Sequence, residues 1–468
     1  GYVLQAHGAL RQLRGEVGHY NPHASANRPD GESRCALAAA GGGGTGGIAL
    51  EWRPSPSTPG AQTRPEPAVL TLLENADIYA PEPLGIGCLL VGGGKLLYLG
   101  RERPALDARL LGETLDLAGM PVIPGLIDAH VHPTGGGGED GFSTQAPPVP
   151  LSGFTRHGVT TVVGLLGTDD ETRGTAGLLA RTRALREEGL SAWCWTGGYH
   201  LPPTTLTGSV RGDIVHIDCV IGLGEVAISD HRSSQPTFDE LARLASEAHV
   251  AGLLSRKAGV MHLHLGDGDR GLELVRRLLR ETELPPRVFH PTHVNRRREL
   301  FEEACQLSRE NVVVDVTAFP VDEGENAWSA ADAWERFHDQ GCAAGRLTIS
   351  SDGGGCLPHF DANGEMLRME FATSAGLAGT LRELRRRGHG LGAVLPCMTA
   401  NVARLLRLPG KGRLAAGADA DLVCLDEHHG VRHVMARGRW MVQHGTPLRA
   451  GLFEGWFEGP FETPGSAD

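Results

Sequence analysis

The apolar positions of this chain fall into two textures. Between residues 69 and 119, short apolar runs (VLTLLENADIYAP, GCLLVGGGKLLYLG and LLGETLDLAG) are separated by Gly, Pro and Asn. That pattern predicts short antiparallel strands. It returns near the C-terminal end in DADLVCLDE and VRHVMARGRWMVQHG. Residues 120–406 alternate differently. Eight apolar runs stand out: PVIPGLIDAHVH, GVTTVVGLLG, SAWCWTGGYH, CVIGLGEVAIS, VMHLHLG, RVFHPTHV, NVVVDVTAF and RLTISSD. Helical patterns such as ETRGTAGLLARTRALREEG, TFDELARLASEAHVAGLLSR and GLELVRRLLRETE lie between most of them. Strand–helix alternation repeated eight times, over a segment of ordinary barrel length, predicts a (β/α)₈ barrel. A doubly wound sheet is the alternative, but it needs a switch point and usually has fewer strands. The flanking segments, 68–119 and 407–447, predict one small β-sandwich domain built from both ends.

Residues 1–67 carry no sustained period. They contain GGGG at 41–44 and RPSPSTPGAQTRPEP at 53–67, the composition of a disordered leader or linker. The first methionine is Met120, so part of this leader is expected to lie outside the functional protein. Residues 448–468 read as a tail.

Composition narrows the function classes. Of the 468 residues, 40% are apolar, enough for a sizeable core. The formal charge of −12 disfavours a nucleic-acid or anionic-membrane partner, since phosphate binding needs clustered cations. No apolar stretch of about 18 residues exists to span a membrane. Nine scattered cysteines without a C-x-x-C pair predict reduced thiols in a cytoplasmic protein. The 44 basic side chains include only three lysines, Lys95, Lys257 and Lys411, so a mechanism that needs lysine has three candidates.

In a barrel, chemistry gathers at the C-terminal strand ends. The first run ends in His130-Val131-His132, and alternate residues of a strand share a face. Glu225 lies on the fourth run, His264 on the fifth, His293 on the sixth and Asp352 on the eighth. Four imidazoles and two carboxylates so placed could hold two divalent ions. With 21 histidines in the chain, some reach strand ends by chance, as His200, His231, His262 and His290 do. The ordered set outweighs that chance placement.

GLIDAHVH followed by later histidines and SSDG resembles the amidohydrolase superfamily. More narrowly, IDAHVHPTGGGGEDG, GVTTVVGLLGTD, TGGYHLPPTTLTGSV, AISDHRS, HLGD, PTHVNR and SSDGG, in that order, resemble the isoaspartyl (β-aspartyl) dipeptidase family. The resemblance runs from about residue 69 to 445 and includes GKGRLAAGADADLVCLD near its end. It implies a metal-dependent hydrolase barrel that acts on a dipeptide, with two divalent ions (zinc the expected metal), in a cytoplasmic homo-oligomer. His130, His132 and Asp352 would hold the more buried metal, and His264 and His293 the second.

In this family the bridging group is usually a carboxylated lysine. Here Glu225 stands at that position with no lysine nearby, so the expectation is a direct carboxylate bridge, aided by an extra residue just upstream that shifts the strand. The alternative is a strand-end charge beside a single metal. A metal-bridging hydroxide would attack the side-chain amide of the β-aspartyl peptide. Asp352 would shuttle the proton and Tyr199 would stabilise the oxyanion. Glu139 would pair with the substrate ammonium, Gly137 and Thr168 would hold the aspartyl α-carboxylate, and Arg232 and Arg296 would grip the terminal carboxylate. For the arginines the alternative is a rim ion pair, and for Tyr199 a rim position. Cys356 replaces a family serine at the carboxylate end and offers a weaker donor. The GGGG loop at 135–138 lacks G-K-[ST], which disfavours a P-loop. Rival functions are another amidohydrolase reaction, on N-acyl amino acids or cyclic amides, and a non-catalytic scaffold.

Overall fold

The computed structural model describes residues 70–360 and 366–454. The leader expected at 1–67, and the tail beyond residue 454, lie outside the described residues. Five strands come first: β1 (Leu70–Tyr79), β2 (Pro83–Gly92), β3 (Lys95–Gly100), β4 (Leu111–Asp116) and β5 (Pro121–Pro124). Eight more follow: β6 (Leu126–Val131), β7 (Val159–Gly164), β8 (Ser191–Thr196), β9 (Val220–Ile228), β10 (Val260–Leu265), β11 (Phe289–Thr292), β12 (Val314–Thr317) and β13 (Leu347–Ser350). A hairpin, β14 (Cys356–Phe360) and β15 (Met366–Phe371), comes next. The last four are β16 (Leu422–Leu425), β17 (Val431–Ala436), β18 (Arg439–Gln443) and β19 (Thr446–Pro447).

Strands β6 to β11 form one parallel sheet in sequence order, and β12 pairs in parallel with β13. A parallel bridge between Val131 and Gly353, with His132 N–H donating to the Gly353 carbonyl (2.7 Å), joins the last strand to the first. Each of the eight predicted runs thus contributes one strand of the barrel. Their residues are buried almost throughout, because the helical layer covers the outside and neighbouring strands fill the inside. The helices have local signals of their own. The helix Phe238–Ser255, between β9 and β10, opens on a capping box in which Thr237 and Glu240 satisfy each other's backbone N–H groups.

The two ends of the described chain meet in a single nine-stranded sheet, ordered β19-β18-β17-β16-β5-β1-β2-β3 with β4 beside β1. Alternation along β1 and β2 sends Leu73 and Leu89 into one core and Leu72 and Leu90 into a smaller cluster on the other face. Two details depart from the sequence pattern. Strand β1 pairs in parallel with β4 and β5, so this sheet is mixed rather than antiparallel. The first apolar run also divides. PVIP, as β5, pairs with β1 and β16, whereas LIDAHV, as β6, opens the barrel. The break falls at Gly125, where a Cβ would stand 2.1 Å from Thr160 Oγ1.

Barrel and sheet share a buried cation. Lys411 Nζ lies 2.7 Å from Asp419, 2.5 Å from Asp421 and 2.5 Å from Ser191 Oγ on β8. Of the three lysines, then, this one is spent on bracing. All eight cysteines among the described residues are free. No helix among the described residues is long and apolar enough to cross a membrane.

Candidate metal centre

The site is assembled at the strand ends. On β6, His130 is fully buried and His132 is 5% exposed, and both point at Asp352, which follows β13. His130 Nε2 lies 3.3 Å and His132 Nε2 3.0 Å from Asp352 Oδ1. Glu225 reaches the same place by a local irregularity in β9. Leu223 pairs with Met261 and Val226 with Leu263, so Gly224 and Glu225 together face His262 alone. Two residues of β9 thus oppose one of β10, a bulge, and bulges re-aim side chains. Gly224 is required there, because a Cβ would sit 2.7 Å from that of His262.

The carboxylate so placed has an imidazole nitrogen on each side. Glu225 Oε2 is 3.4 Å from His130 Nε2, 3.1 Å from His264 Nδ1 and 3.5 Å from His293 Nε2, and Oε1 is 3.7 Å from His132 Nε2. Two of the six residues, His293 and Asp352, hold a left-handed backbone (φ 61° and 55°). Such strain in non-glycine residues gathers at functional sites.

Electrostatics follow from this crowding. Burial alone would raise Glu225 and Asp352, but facing histidines outweigh it and hold both carboxyls well below their usual range. Burial would lower His130, yet Glu225 and Asp352 bring it up to about 9. His293 goes the other way, to about 3, chiefly through burial.

The donor set suits divalent cations such as zinc. His130 Nε2 and Asp352 Oδ1 are buried without a hydrogen-bond partner, which is what a ligand atom needs. Of the four groups of ligand atoms within 4.8 Å of one another among the described residues, three lie at this floor: His130, His132 and Glu225; His130, His293 and Asp352; and Glu225, His264 and His293; the fourth, Asp230, His231 and Asp267, is at the rim. The three floor groups are made of the six residues expected from the sequence, with His130, Glu225 and His293 each in two of them.

A cavity of about 620 Å³ opens above this floor, a size typical of small-ligand sites. It is lined by His132, His264 and Asp352, and also by Gly137, Glu139, Thr168, Tyr199, Arg232, Arg296 and Cys356. Every residue expected to contact substrate therefore borders one cavity. Tyr199 Oη sits 2.8 Å from His264 Nδ1. Arg232 is held by Asp230 (2.8 Å) and Glu139 (3.2 Å), so this arginine does form the ion pair weighed as its alternative. Arg296 donates to the Leu265 carbonyl at 3.1 Å. Burial, with Glu139 and Asp352 nearby, pushes the Cys356 thiol up to about 11, which keeps it protonated. The cavity's apolar wall comes from Phe319, Pro320, Leu357 and Met369.

Sequence reasoning passed over three residues behind the floor. Asp230, two positions before Arg232, lies 3.0 Å from His264 Nε2. His262 and His290, set aside as chance placements, are fully buried and bonded in series behind His130. The alternation of His262 with His264 on β10 was the available signal.

The chain is similar to known proteins in sequence and fold. The model of the amidohydrolase family matches residues 122–441. A crystal structure of β-aspartyl dipeptidase from Fervidobacterium islandicum AW-1, in complex with β-Asp-Leu, is 39% identical with a TM-score of 0.76, over 81% of this chain and 98% of that one. A second structure of that dipeptidase is 37% identical with a TM-score of 0.73 and the same coverage. An imidazolonepropionase from Acidiphilium cryptum (strain JF-5) is 30% identical over 142 residues, 28% of this chain and 35% of that protein. The chain belongs to the amidohydrolase family and, within it, to the isoaspartyl dipeptidase family that its motifs resemble.

Proposed function

We propose that this chain is a two-metal hydrolase of β-aspartyl (isoaspartyl) dipeptides. The observation that carries the reading is the Glu225 carboxylate, within 3.1 to 3.7 Å of a nitrogen of each of four histidines at the cavity floor. His130, His132 and Asp352 would hold the more buried ion and His264 and His293 the second, with Glu225 as the shared ligand in place of a carboxylated lysine. Zinc is the metal we assign. When bound, such ions supply hydroxide at neutral pH and polarise the scissile carbonyl.

The side chains do the rest. Asp352 starts ionised, accepts the proton released on attack and returns it to the leaving amine. Burial, with Glu225 nearby, drives the Tyr199 phenol well above its ordinary value, so it keeps its proton and donates to the developing oxyanion. Glu139 pairs with the α-ammonium, and Gly137 and Thr168 hold the aspartyl α-carboxylate. Arg296, and Arg232 braced by Asp230, hold the terminal carboxylate, with Cys356 at the same end. The family reading extends to a cytoplasmic homo-oligomer.

Metal analysis of the purified full chain, combined with a β-Asp-Leu hydrolysis assay, tests the proposal. Two ions per chain and turnover are expected. Turnover of N-acyl amino acids or cyclic amides with none of β-Asp-Leu would assign a different amidohydrolase reaction. Less than one ion per chain would indicate a scaffold.

A further inference from the structure

Behind His130, away from the cavity, the barrel interior holds a line of polar side chains drawn from four strands. His130 Nδ1 lies 2.8 Å from His262 Nε2. His262 Nδ1 lies 2.9 Å from His290 Nδ1. His290 Nε2 lies 2.9 Å from Thr348 Oγ1, and Thr348 Oγ1 lies 2.5 Å from Asp315 Oδ1. Asp315 also accepts hydroxyls from Thr292 (2.8 Å) and Ser350 (2.5 Å). All of these residues are buried, and the Trp195 ring stacks on His262 with 4° between planes.

With all three imidazoles neutral, as a metal on His130 requires, the line has one self-consistent proton arrangement. A carboxylate end accepts, so Thr348 donates to Asp315 and must accept from His290 Nε2–H. His290 Nδ1 is then an acceptor, so His262 donates from Nδ1 and accepts at Nε2. His130 therefore donates from Nδ1. Four protons fill four gaps, and Nε2, which faces Glu225 and Asp352, is the His130 nitrogen left to give up its proton and take a metal. Reversing any one link would place two donors or two acceptors in a buried gap, at the cost of an unmade buried hydrogen bond.

We propose that His262, His290, Thr348 and Asp315 are positioning residues, a directional chain that fixes the tautomer of His130 and presents its Nε2 to the more buried metal. The inference rests on the two-metal reading above. It extends the usual device, in which a ligating histidine gives its other N–H to a carboxylate, through two further imidazoles.

The test uses the metal-loaded full chain and competition by a chelator, so it does not depend on turnover. His262→Phe keeps the ring that stacks on Trp195 but ends the chain. One of the two ions is expected to bind 10- to 100-fold more weakly in protein that remains folded when chelated. His262→Gln can accept from His130 and donate to His290, and it is expected to recover affinity to within a few-fold. Thr348→Val, near-isosteric and remote from the metals, should weaken the same ion; it serves as the second variant if His262→Phe does not fold. Wild-type affinity for both ions in His262→Phe, or in Thr348→Val where the first does not fold, overturns the proposal. So does failure of Gln to restore what Phe removes. If the wild type binds two ions and these variants behave as stated, yet β-Asp-Leu is not hydrolysed, the substrate assignment falls and the positioning chain stands.

Discussion

The Asp230 carboxylate lies 3.0 Å from His264 Nε2, on the opposite side of the ring from Glu225, which is 3.1 Å from Nδ1. The two contacts divide the ring's nitrogens. Asp230 faces Nε2, whereas Nδ1 faces Glu225 and Tyr199 Oη on the cavity side. Asp230→Asn keeps the shape but weakens the acceptor, so affinity for one ion should fall about 10-fold or more. Chelator competition measures this, and wild-type affinity would remove Asp230 as the group that orients His264.

Glu225 separates the one-metal and two-metal readings. Glu225→Ala should lose at least one ion per chain and nearly all turnover. Glu225→Gln should keep the fold and weaken bridging. Atomic spectroscopy on dialysed protein counts the ions, and unchanged content in both variants would end the bridging role.

Asp352 differs from Glu225 in being proposed to carry a proton. Asp352→Asn should leave KM for β-Asp-Leu within a few-fold and cut kcat by about 10²- to 10⁴-fold, the usual weight of general acid–base catalysis. Wild-type kcat would remove it as the shuttle.

Gly137 tests the fit of the glycine loop. Its φ is +79°, and a Cβ there would stand 2.3 Å from Cys356 Sγ and 2.5 Å from the Thr144 carbonyl. Gly137→Ala should therefore displace the wall expected to hold the aspartyl carboxylate and raise KM at least about 10-fold, about 1.4 kcal/mol of binding. An unchanged KM would place that carboxylate elsewhere.

Acid stability can be tested away from the metals. Burial, with His444 and Arg432 nearby, lowers His433 to about 4 from 6.5. The unfolded chain thus takes up this proton first as pH falls. The stabilisation is present above pH 6.5 and is lost between pH 6.5 and 4, to an upper bound of about 3 kcal/mol. Urea unfolding of His433→Gln should show a correspondingly smaller loss over that interval; identical losses would show that His433 does not contribute.

The barrel was legible because strands covered on both faces read as apolar runs, and because ligands at successive strand ends keep their order in the chain. The six floor residues could be found one strand at a time. The line from His130 to Asp315 could not, since each link depends on how β6, β10, β11, β12 and β13 lie across one another. Asp230 was hidden differently: it stands inside a motif already noticed, but its partner His264 is on the next strand. The split of PVIPGLIDAHVH between two sheets turns on Gly125 and its contact with Thr160, which no local period reveals. Parallel pairing of β1 with β4 and β5 escaped for the same reason, since alternation gives a strand's faces but not its neighbours.

The pairing of Pro124 with Leu422 and Val122 with Cys424 sets an order of events during synthesis. Strand β5 leaves the ribosome just ahead of the barrel, but its antiparallel neighbour emerges only after the barrel's last helix. Until then one edge of the β1–β5 layer is open, with the whole hydrolase barrel already available to fold beside it. A nascent chain stalled before residue 422 would display that edge, making it the place where a truncated product would recruit a chaperone or another copy of itself.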